Sequence, residues 1–468
     1  MNVRFARVSP LTAALAAGFL VVTAPTLGQS INEDLELLPD DGGGAAQFGF
    51  SIAIDNGVVA VGAVADVDNG PQSGSAYLLD ASTGVQLAKL LPSDGARLDW
   101  FGYSISIGNG VVAVGAPQDD DNGEDSGSAY LFDPSTGLQF AKLLPDDGAS
   151  EDSFGWSLAI ANGVVGVGAM NDDDNGTNSG SVYLFNAFTG AQIAKLLPGD
   201  GAEFDQFGHS IAIDQAVIAV GATGSAYLFD AFTGAQIAKL VPGDGNGRHS
   251  VFGWSLAIDN GVVAVGASRD NDNGASSGSA YLFDASTGEQ IAKLLPSDGA
   301  EFDQFGWSIA IDNGVVAVGA HAYVRNGTES GSAYLFDAST GAQIAKLLSS
   351  DGAEGDIFGY SITFDNSVVA VGAPLTDVFG FDSGSAYVFF VDAGECVRDP
   401  EWLCDGDVDG DGQVNPVDAG LVQVHFGSRQ FDAICKYDLD CDGQINPVDA
   451  GIVQSLFGTC EAPRAVCP

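Results

Sequence analysis

A short motif that recurs seven times constrains the fold of this 468-residue chain more than any other feature. The motif reads Phe-Gly, then an aromatic residue or His, then Ser. Its phenylalanines are Phe48, Phe101, Phe154, Phe207, Phe252, Phe305 and Phe358. Successive copies lie 53 residues apart, except for one interval of 45. A period of about 50 residues is typical of the four-stranded blades of a β-propeller.

The internal pattern of one unit predicts four strands. In residues 101–145 the segments FGYSISI, GVVAVGA, GSAYLFD and QFAKLLP are separated by Asn-Gly or Thr-Gly turn signals. The seventh unit ends after GSAYVFF and lacks the fourth segment, whereas a matching LELLP occurs before the first unit, at residues 35–39. We therefore predict a seven-bladed all-β propeller in which this N-terminal strand completes the last blade and removes two exposed sheet edges. An open β-solenoid is the alternative.

The repeats resemble FG-GAP repeats, which form the propellers of integrin α-subunits and of many bacterial surface proteins. The resemblance rests on Phe101-Gly102 followed by Gly115-Ala116-Pro117, and on the same motif at Phe358-Gly359. It implies a propeller domain over residues 29–394. The integrin calcium loop, between the first and second strands, does not carry over because this connection is only a short turn here.

The connection between the second and third strands is acidic in four units. Its candidate calcium ligands are Asp66, Asp68, Asp119, Asp121, Asp172, Asp174, Asp270 and Asp272. Oxygen ligands at alternate positions of a tight loop suit Ca²⁺. The alternative is a polar turn in which Asp-Asn-Gly favours the backbone geometry.

A second recurring acid lies two residues before Phe-Gly in five units. These residues are Asp99, Asp152, Asp205, Asp303 and Asp356. We expect each carboxylate to accept hydrogen bonds from backbone N–H groups of the turn between blades.

The residue after Phe-Gly is predicted to form a circle, because equivalent positions of a closed ring do so. The seven residues are Phe50, Tyr103, Trp156, His209, Trp254, Trp307 and Tyr360. One interpretation is packing between blades. The other is an aromatic mouth around the axis, similar to the integrin α cage that receives a basic side chain of a partner, since aromatic faces attract cations and stack on sugars.

The C-terminal part, residues 395–468, carries two copies of a twelve-residue calcium loop. The predicted ligands are Asp407, Asp409, Asp411, Gln413, Asn415 and Asp418, and Asp438, Asp440, Asp442, Gln444, Asn446 and Asp449. Each loop is followed by a short predicted helix. The duplicated unit resembles a dockerin, which implies Ca²⁺ and a cohesin-like partner. Pro416 and Pro447 lie near the loop positions that determine which cohesin a dockerin binds, and they replace the hydroxyl residues usual there. An envelope receptor is therefore the alternative partner.

All six cysteines lie in residues 396–467, which places a domain boundary near residue 395 and predicts disulfides in an exported chain. Residues 1–28 have the pattern of a secretory signal peptide, with two arginines before an apolar stretch and with Thr26 and Gly28 suited to cleavage. A retained anchor is the alternative. We predict a secreted or cell-surface protein without a membrane span after signal removal.

Charge and motifs limit the functions that this chain can have. The net charge of −46 argues against nucleic acid and anionic membrane surfaces as partners. The four histidines share no motif, and no nucleophile elbow or phosphate loop is present. We therefore expect a non-enzymatic binding or adhesion protein with a protein or glycan ligand and a calcium-dependent tether. The alternative is a dockerin-borne protein that acts on or binds polysaccharide.

Overall fold

The computed structural model describes residues 29–245, 247–321 and 330–391, and in them the strands form seven sheets. Six sheets have four strands and one has five, and neighbouring strands are antiparallel except for one parallel pair. This arrangement confirms the predicted seven-bladed all-β propeller. The predicted signal peptide and the C-terminal module with its cysteines lie outside the described residues.

The strands are numbered along the chain. Two N-terminal strands come first, β1 (Gln29–Asn32) and β2 (Leu35–Leu37). Blade one contains β3 (Phe48–Asp55), β4 (Val58–Ala63), β5 (Ser75–Asp80) and β6 (Gln86–Leu90). Blade two contains β7 (Ser104–Gly108), β8 (Val111–Ala116), β9 (Ser128–Asp133) and β10 (Leu138–Leu143). Blade three contains β11 (Phe154–Ala161), β12 (Val164–Ala169), β13 (Ser181–Asn186) and β14 (Gln192–Leu196).

The remaining blades repeat this order. Blade four contains β15 (Ile211–Asp214), β16 (Val217–Ala222), β17 (Ser225–Asp230) and β18 (Gln236–Leu240), and a single helical turn, α1 (Gly247–Ser250), follows it. Blade five contains β19 (Phe252–Asp259), β20 (Val262–Ala267), β21 (Ser279–Asp284) and β22 (Gln290–Leu294). Blade six contains β23 (Ser308–Asp312), β24 (Val315–Ala320), β25 (Ser332–Asp337) and β26 (Gln343–Leu348). Blade seven contains β27 (Ser361–Asp365), β28 (Val368–Ala373) and β29 (Ser385–Phe390).

The blades form a closed ring. The first strand of each blade contacts the first strand of the next, and β27 of blade seven contacts β3 of blade one. The hydrophobic core consists of seven clusters, and each cluster combines side chains from two adjacent blades. A β-solenoid has two free ends and no such closing contact, so the alternative fold is excluded.

The N-terminal strand β2 completes blade seven, as the strand count predicts. It pairs antiparallel with β29, with Leu35 opposite Val388 and Leu37 opposite Ala386. Leu37 is fully buried in the cluster that joins blades seven and one. The chain therefore closes its own ring by joining its two ends within one sheet.

The strand β1 was not predicted from the sequence. It pairs in parallel with β26 and gives blade six a fifth strand. Its Ile31 packs into the same hydrophobic cluster as Ile344 of β26. The outer strands of other blades leave the equivalent apolar residues exposed, such as Leu87, Phe140 and Ile237. The fifth strand therefore covers an apolar outer edge in one blade only.

The recurring motif is explained by contacts at the junction between blades. Each motif phenylalanine is fully buried, and the glycine after it has a φ angle near +90°. The motif serine of each blade donates its hydroxyl hydrogen to the carbonyl oxygen of the motif glycine in the next blade, at 2.6–2.9 Å. The last bond, from Ser361 to Gly49, joins blade seven to blade one. The Phe, Gly and Ser of the motif therefore encode the contacts that join neighbouring blades and close the ring.

Candidate functional site: an axial aromatic ring and lysine-centred loops

The seven predicted aromatic positions form a continuous ring at one end of the innermost strands. Every ring contacts both of its neighbours, with centroid distances from 4.1 Å (His209–Trp254) to 5.9 Å (Trp156–His209). Phe50 closes the circle by contacting both Tyr103 and Tyr360 at 5.1 Å. All seven side chains are half-buried. We call this set the axial ring.

The size of the axial ring suits a single cationic group. A regular heptagon with sides of about 5 Å has its corners about 6 Å from its centre, so a cation on the axis would lie about 6 Å from each centroid, the usual reach of a cation–π contact. Several rings would therefore lie within reach of that cation at once. The seven rings also pack against one another across the blade junctions, as the packing interpretation expects. Their use as a binding mouth stays a prediction.

Two histidines take part in this aromatic cluster, and both are uncharged at neutral pH. His209 Nδ1 lies 3.2 Å from the carbonyl oxygen of Trp254, and crowding by neighbouring rings removes water, which lowers the pKa of His209 to about 4. His321 is buried between Trp307 and Tyr360, at 4.3 and 5.9 Å, and burial lowers its pKa to about 4 as well. Its Nδ1 atom has no hydrogen-bond partner among the described residues.

The place of His321 in this cluster was not predicted from the sequence. Its only signal was its position directly after the Gly-Ala of unit six, where other units carry residues such as Val64 or Pro117. Blade six therefore adds an eighth ring to the seven that symmetry predicts.

The acidic loops surround a lysine. In blade one, Lys89 Nζ lies 3.0 Å from Asp66 Oδ2 and 2.5 Å from Asp68 Oδ2. It also lies 2.6 Å from Asp41, which belongs to the connection before the blade, and 5.0 Å above the ring of Tyr77. The Tyr77 hydroxyl donates to Asp66 Oδ2 at 2.8 Å. We call this arrangement a lysine node.

The lysine node recurs with small differences. Blades two, three and five repeat all three ion pairs, through Lys142, Lys195 and Lys293. Blade four has a shortened loop, and among the described residues its Lys239 pairs only with Asp200. In blade six the described partners of Lys346 are Asp298 and the ring of Tyr334. These lysines were not predicted from the sequence as partners of the acidic loops, although each unit with an AKL segment carries one.

The ammonium group occupies the position that a calcium ion would need. All eight predicted calcium ligands of these loops form an ion pair with the lysine of their blade. They are Asp66 and Asp68, Asp119 and Asp121, Asp172 and Asp174, and Asp270 and Asp272. No group of three His, Cys, Asp or Glu side chains suited to a metal is found among the described residues. This geometry favours the interpretation of the loops as turns. Calcium at these loops stays a prediction.

The acids before each Phe-Gly have the predicted capping role. The carboxylate of Asp99 accepts a hydrogen bond from the backbone N–H of Ala96 at 2.5 Å. The same bond occurs in the equivalent turns at Asp152, Asp205, Asp303 and Asp356. These residues therefore shape the connections between blades.

Two buried carboxylates and one half-buried carboxylate predict a stability maximum in mild acid. Burial raises the pKa of Asp99, Asp152 and Asp312 to about 6, and nearby aspartates add to the effect. In the unfolded chain these groups titrate near ~3.9, so the folded state binds more protons between about pH 4 and 6. Stability should therefore rise as the pH falls from 7 to about 5, by on the order of 1 kcal/mol per group. Below about pH 4 it should fall, because aspartates with a lowered pKa, such as Asp94 and Asp147, lose their lysine partners.

Calorimetric melting temperatures between pH 3.5 and 8, recorded in EDTA, test this prediction. The variant with Asp99→Asn, Asp152→Asn and Asp312→Asn should lose most of the rise between pH 7 and 5. A parallel pH dependence of the two proteins would contradict the assignment to these carboxylates.

Comparison with known protein families agrees with this geometry. The FG-GAP repeat pattern matches residues 32–79, 85–132, 138–185, 191–229, 235–283, 289–336 and 342–389, which make up more than half of the chain. The chain belongs to the FG-GAP repeat family. Each matched repeat starts in or just before the outer strand of one blade and ends in the third strand of the next, so the FG-GAP repeat is offset from the blade by one strand.

The C-terminal region contains a Dockerin type I domain, matched over residues 405–457. Both predicted calcium loops fall inside this range, and both lie outside the described residues. A search of curated proteins found no match to the chain. Among the described residues no helix is long and apolar enough to cross a membrane.

Proposed function

We propose that this FG-GAP protein is a secreted, non-enzymatic binding protein. Its axial ring binds a basic side chain of a protein partner, and its dockerin tethers the propeller in a calcium-dependent way. The closed axial ring is the observation that carries the proposal, because seven contacting rings form one continuous aromatic surface around the axis.

Electrostatics favour a cation at the axial ring. The chain carries a net charge of −46, which attracts a basic partner and raises its association rate. Both histidines are neutral at pH 7, so no positive charge on the cluster opposes that partner. An aromatic ring contributes ~0.5–2 kcal/mol to a cation–π contact, and several rings share one ligand here.

Tryptophan fluorescence provides a direct test of the axial ring. Three of the five tryptophans, Trp156, Trp254 and Trp307, lie in it, so a ligand on the axis should change the emission. We expect acetyl-Gly-Arg-Gly-amide to quench the full chain saturably and its citrulline analogue to have no effect. The variant Trp254→Ala should bind at least fivefold more weakly.

A control variant and an assay for the polysaccharide alternative complete the test of cation binding at the axial ring. Phe232→Ala removes an aromatic ring that is 81% exposed at the opposite end of blade four, and it should leave peptide binding unchanged. Equal quenching by the citrulline peptide would contradict cation binding. Glycan binding or release of reducing sugar by the same protein would instead support the polysaccharide alternative, since aromatic rings also stack on sugars.

The tether is assigned to the dockerin loops. Dockerin type I domains bind calcium in general. The oxygen-rich positions of the two loops are Asp407, Asp409, Asp411, Gln413, Asn415 and Asp418, and Asp438, Asp440, Asp442, Gln444, Asn446 and Asp449. The proposed partner is a cohesin-like domain or an envelope receptor, and the proposed location is outside the cell.

Calorimetry on the full chain tests the tether. We expect two calcium ions per chain, and none after Asp409→Asn together with Asp440→Asn. Pull-down from envelope extracts should require Ca²⁺ and should fail with the same double variant. Absence of calcium binding by the unmodified chain would contradict the tether, whereas a stoichiometry above two would place further ions on the propeller loops.

A further inference from the structure

Blade seven lacks the lysine on which the other nodes are built. Its outer strand is β2, in which Glu36 lies opposite Tyr387, just as Lys89 lies opposite Tyr77 in blade one. The acid of the preceding connection is kept, because Asp351 accepts a hydrogen bond from the Tyr387 hydroxyl at 3.1 Å. An acidic side chain therefore stands where six other blades place an ammonium group.

The loop of blade seven has changed as well. Thr376 and Val378 occupy the positions of Asp66 and Asp68 in blade one. The acids that remain in this region, Asp351, Asp377 and Asp382, form no ion pair with any lysine or arginine of the described residues. Within the part of the chain that the structure describes, no cation neutralises these three acids.

A cavity of about 360 Å³ lies between this loop and the connection that precedes blade seven. Five acidic residues line it, namely Asp351, Glu354, Asp356, Asp377 and Asp382. Leu375, Val378 and Phe381 supply its apolar part. We call it the blade-seven cleft.

Apolar side chains are exposed at the rim of the blade-seven cleft. Val378 and Phe381, which line the cleft, are 45% and 75% exposed. Blade one has Asp68 and Pro71 at these positions and blade two has Asp121 and Glu124, so the large apolar pair distinguishes blade seven from them. Exposed apolar residues grouped beside a charged cavity are typical of a protein interaction site.

We propose that the blade-seven cleft docks a segment of a partner protein that presents a lysine between apolar side chains. Charge complementarity selects the lysine, because the cleft is lined by carboxylates that no described cation neutralises. The other blades show how this fold binds an ammonium group, between the connection acid and the tyrosine ring. Leu375, Val378 and Phe381 receive the apolar neighbours. The proposal does not depend on the axial ring.

Filling the cleft from within the chain gives the sharpest test. Glu36→Lys restores the missing node, so the new ammonium should occupy the place of the partner's lysine. The probe is a rhodamine-labelled peptide, Gly-Phe-Lys-Leu-Phe-Gly, measured by fluorescence anisotropy with the full chain. We expect the lysine peptide to bind at least tenfold more tightly than its glutamine analogue. Glu36→Lys should weaken binding at least tenfold while raising the melting temperature.

Two further variants keep the proposal testable if Glu36→Lys fails to fold. Asp351→Asn and Phe381→Ser should each weaken binding at least fivefold, whereas Phe232→Ser, an exposed site at the other end of the propeller, should not. Equal binding of the glutamine peptide, or unchanged binding by Glu36→Lys and Asp351→Asn, would overturn the proposal. Concentration-dependent dimerisation that Phe381→Ser abolishes would identify a second copy of this chain as the occupant and would also overturn it. Trp254→Ala should not change binding of this peptide, which separates the cleft from the axial ring.

Discussion

Replacing Leu37 by aspartate is expected to destabilise the propeller more than a comparable change in any exposed outer-strand position. Leu37 is fully buried in the strand that joins the two ends of the chain. Truncating a buried leucine costs about 2–5 kcal/mol, and placing a carboxylate in the same apolar site adds several more. Because the cluster around Leu37 links blades seven and one, the loss should open the ring rather than loosen one blade.

Leu87→Asp is the matched control for the closing strand. Leu87 lies in the outer strand of blade one and is 52% exposed, so the same substitution removes little buried surface. Its effect should stay within about 0.5 kcal/mol. Melting temperatures and urea unfolding of both variants test this comparison. Limited proteolysis should cleave the Leu37→Asp variant, and not the Leu87→Asp variant, at the junction between blades seven and one. Similar stability of the two variants would contradict closure by β2.

Closure of the ring by β2 could be predicted because it follows from the number of strands in each unit. One unit lacks its last strand, the same strand occurs at the other end, and a ring is the arrangement that uses it. The register of Leu35 and Leu37 then follows from the repeat. The strand β1 could not be predicted in this way, since four residues such as Gln29–Asn32 show no period and their partner, the edge of β26, exists only in the folded ring.

The circle of the axial ring could be predicted, because its positions follow from the repeat, and its use as a binding site stays a prediction. The contact of His321 with Trp307 could not be predicted, because it depends on the one residue that follows β24 and breaks the repeat. The lysine nodes were missed for a related reason. Lys89 is 23 residues from Asp66 and 48 from Asp41, and only the pairing of the strands brings the three together. The usable signal was the contrast between lysine in six units and Glu36 in the seventh.

Removing the ammonium from a complete lysine node should cost far more than removing it from an incomplete one. In blade two, Lys142 Nζ lies 2.8 Å from Asp94 and 3.2 Å from Asp119, and Asp119 is buried. Lys142→Met leaves that carboxylate buried beside other acids, which should destabilise the protein by about 3 kcal/mol. In blade four, Lys239 is more exposed, and Asp200 is its one carboxylate partner among the described residues, so Lys239→Met should cost no more than about 1 kcal/mol.

The pH dependence distinguishes the loss of charge from the loss of packing. Burial alone would lower the pKa of Lys142, but hydrogen bonds to Asp121 and Asp94 outweigh it and raise the pKa above its usual range. Burial alone would raise the pKa of Asp94, but Lys142 lowers it. The lysine therefore stabilises the fold at neutral pH and up to about pH 10, and the benefit disappears as Asp94 is protonated below about pH 4. The difference between wild type and Lys142→Met should shrink in that acid range.

A second substitution tests whether the buried charge is the cause. Asp119→Asn should restore part of the stability of Lys142→Met, because the amide removes the uncompensated charge and keeps its hydrogen bond with Tyr130. When Lys142 is present, Asp119→Asn should instead destabilise the protein. A double-mutant cycle then gives the coupling free energy between the two residues. Additive effects of the two substitutions would contradict the interaction proposed for the lysine node.

Calcium should not stabilise the wild-type propeller loops, since the ammonium group already holds the carboxylates that an ion would need.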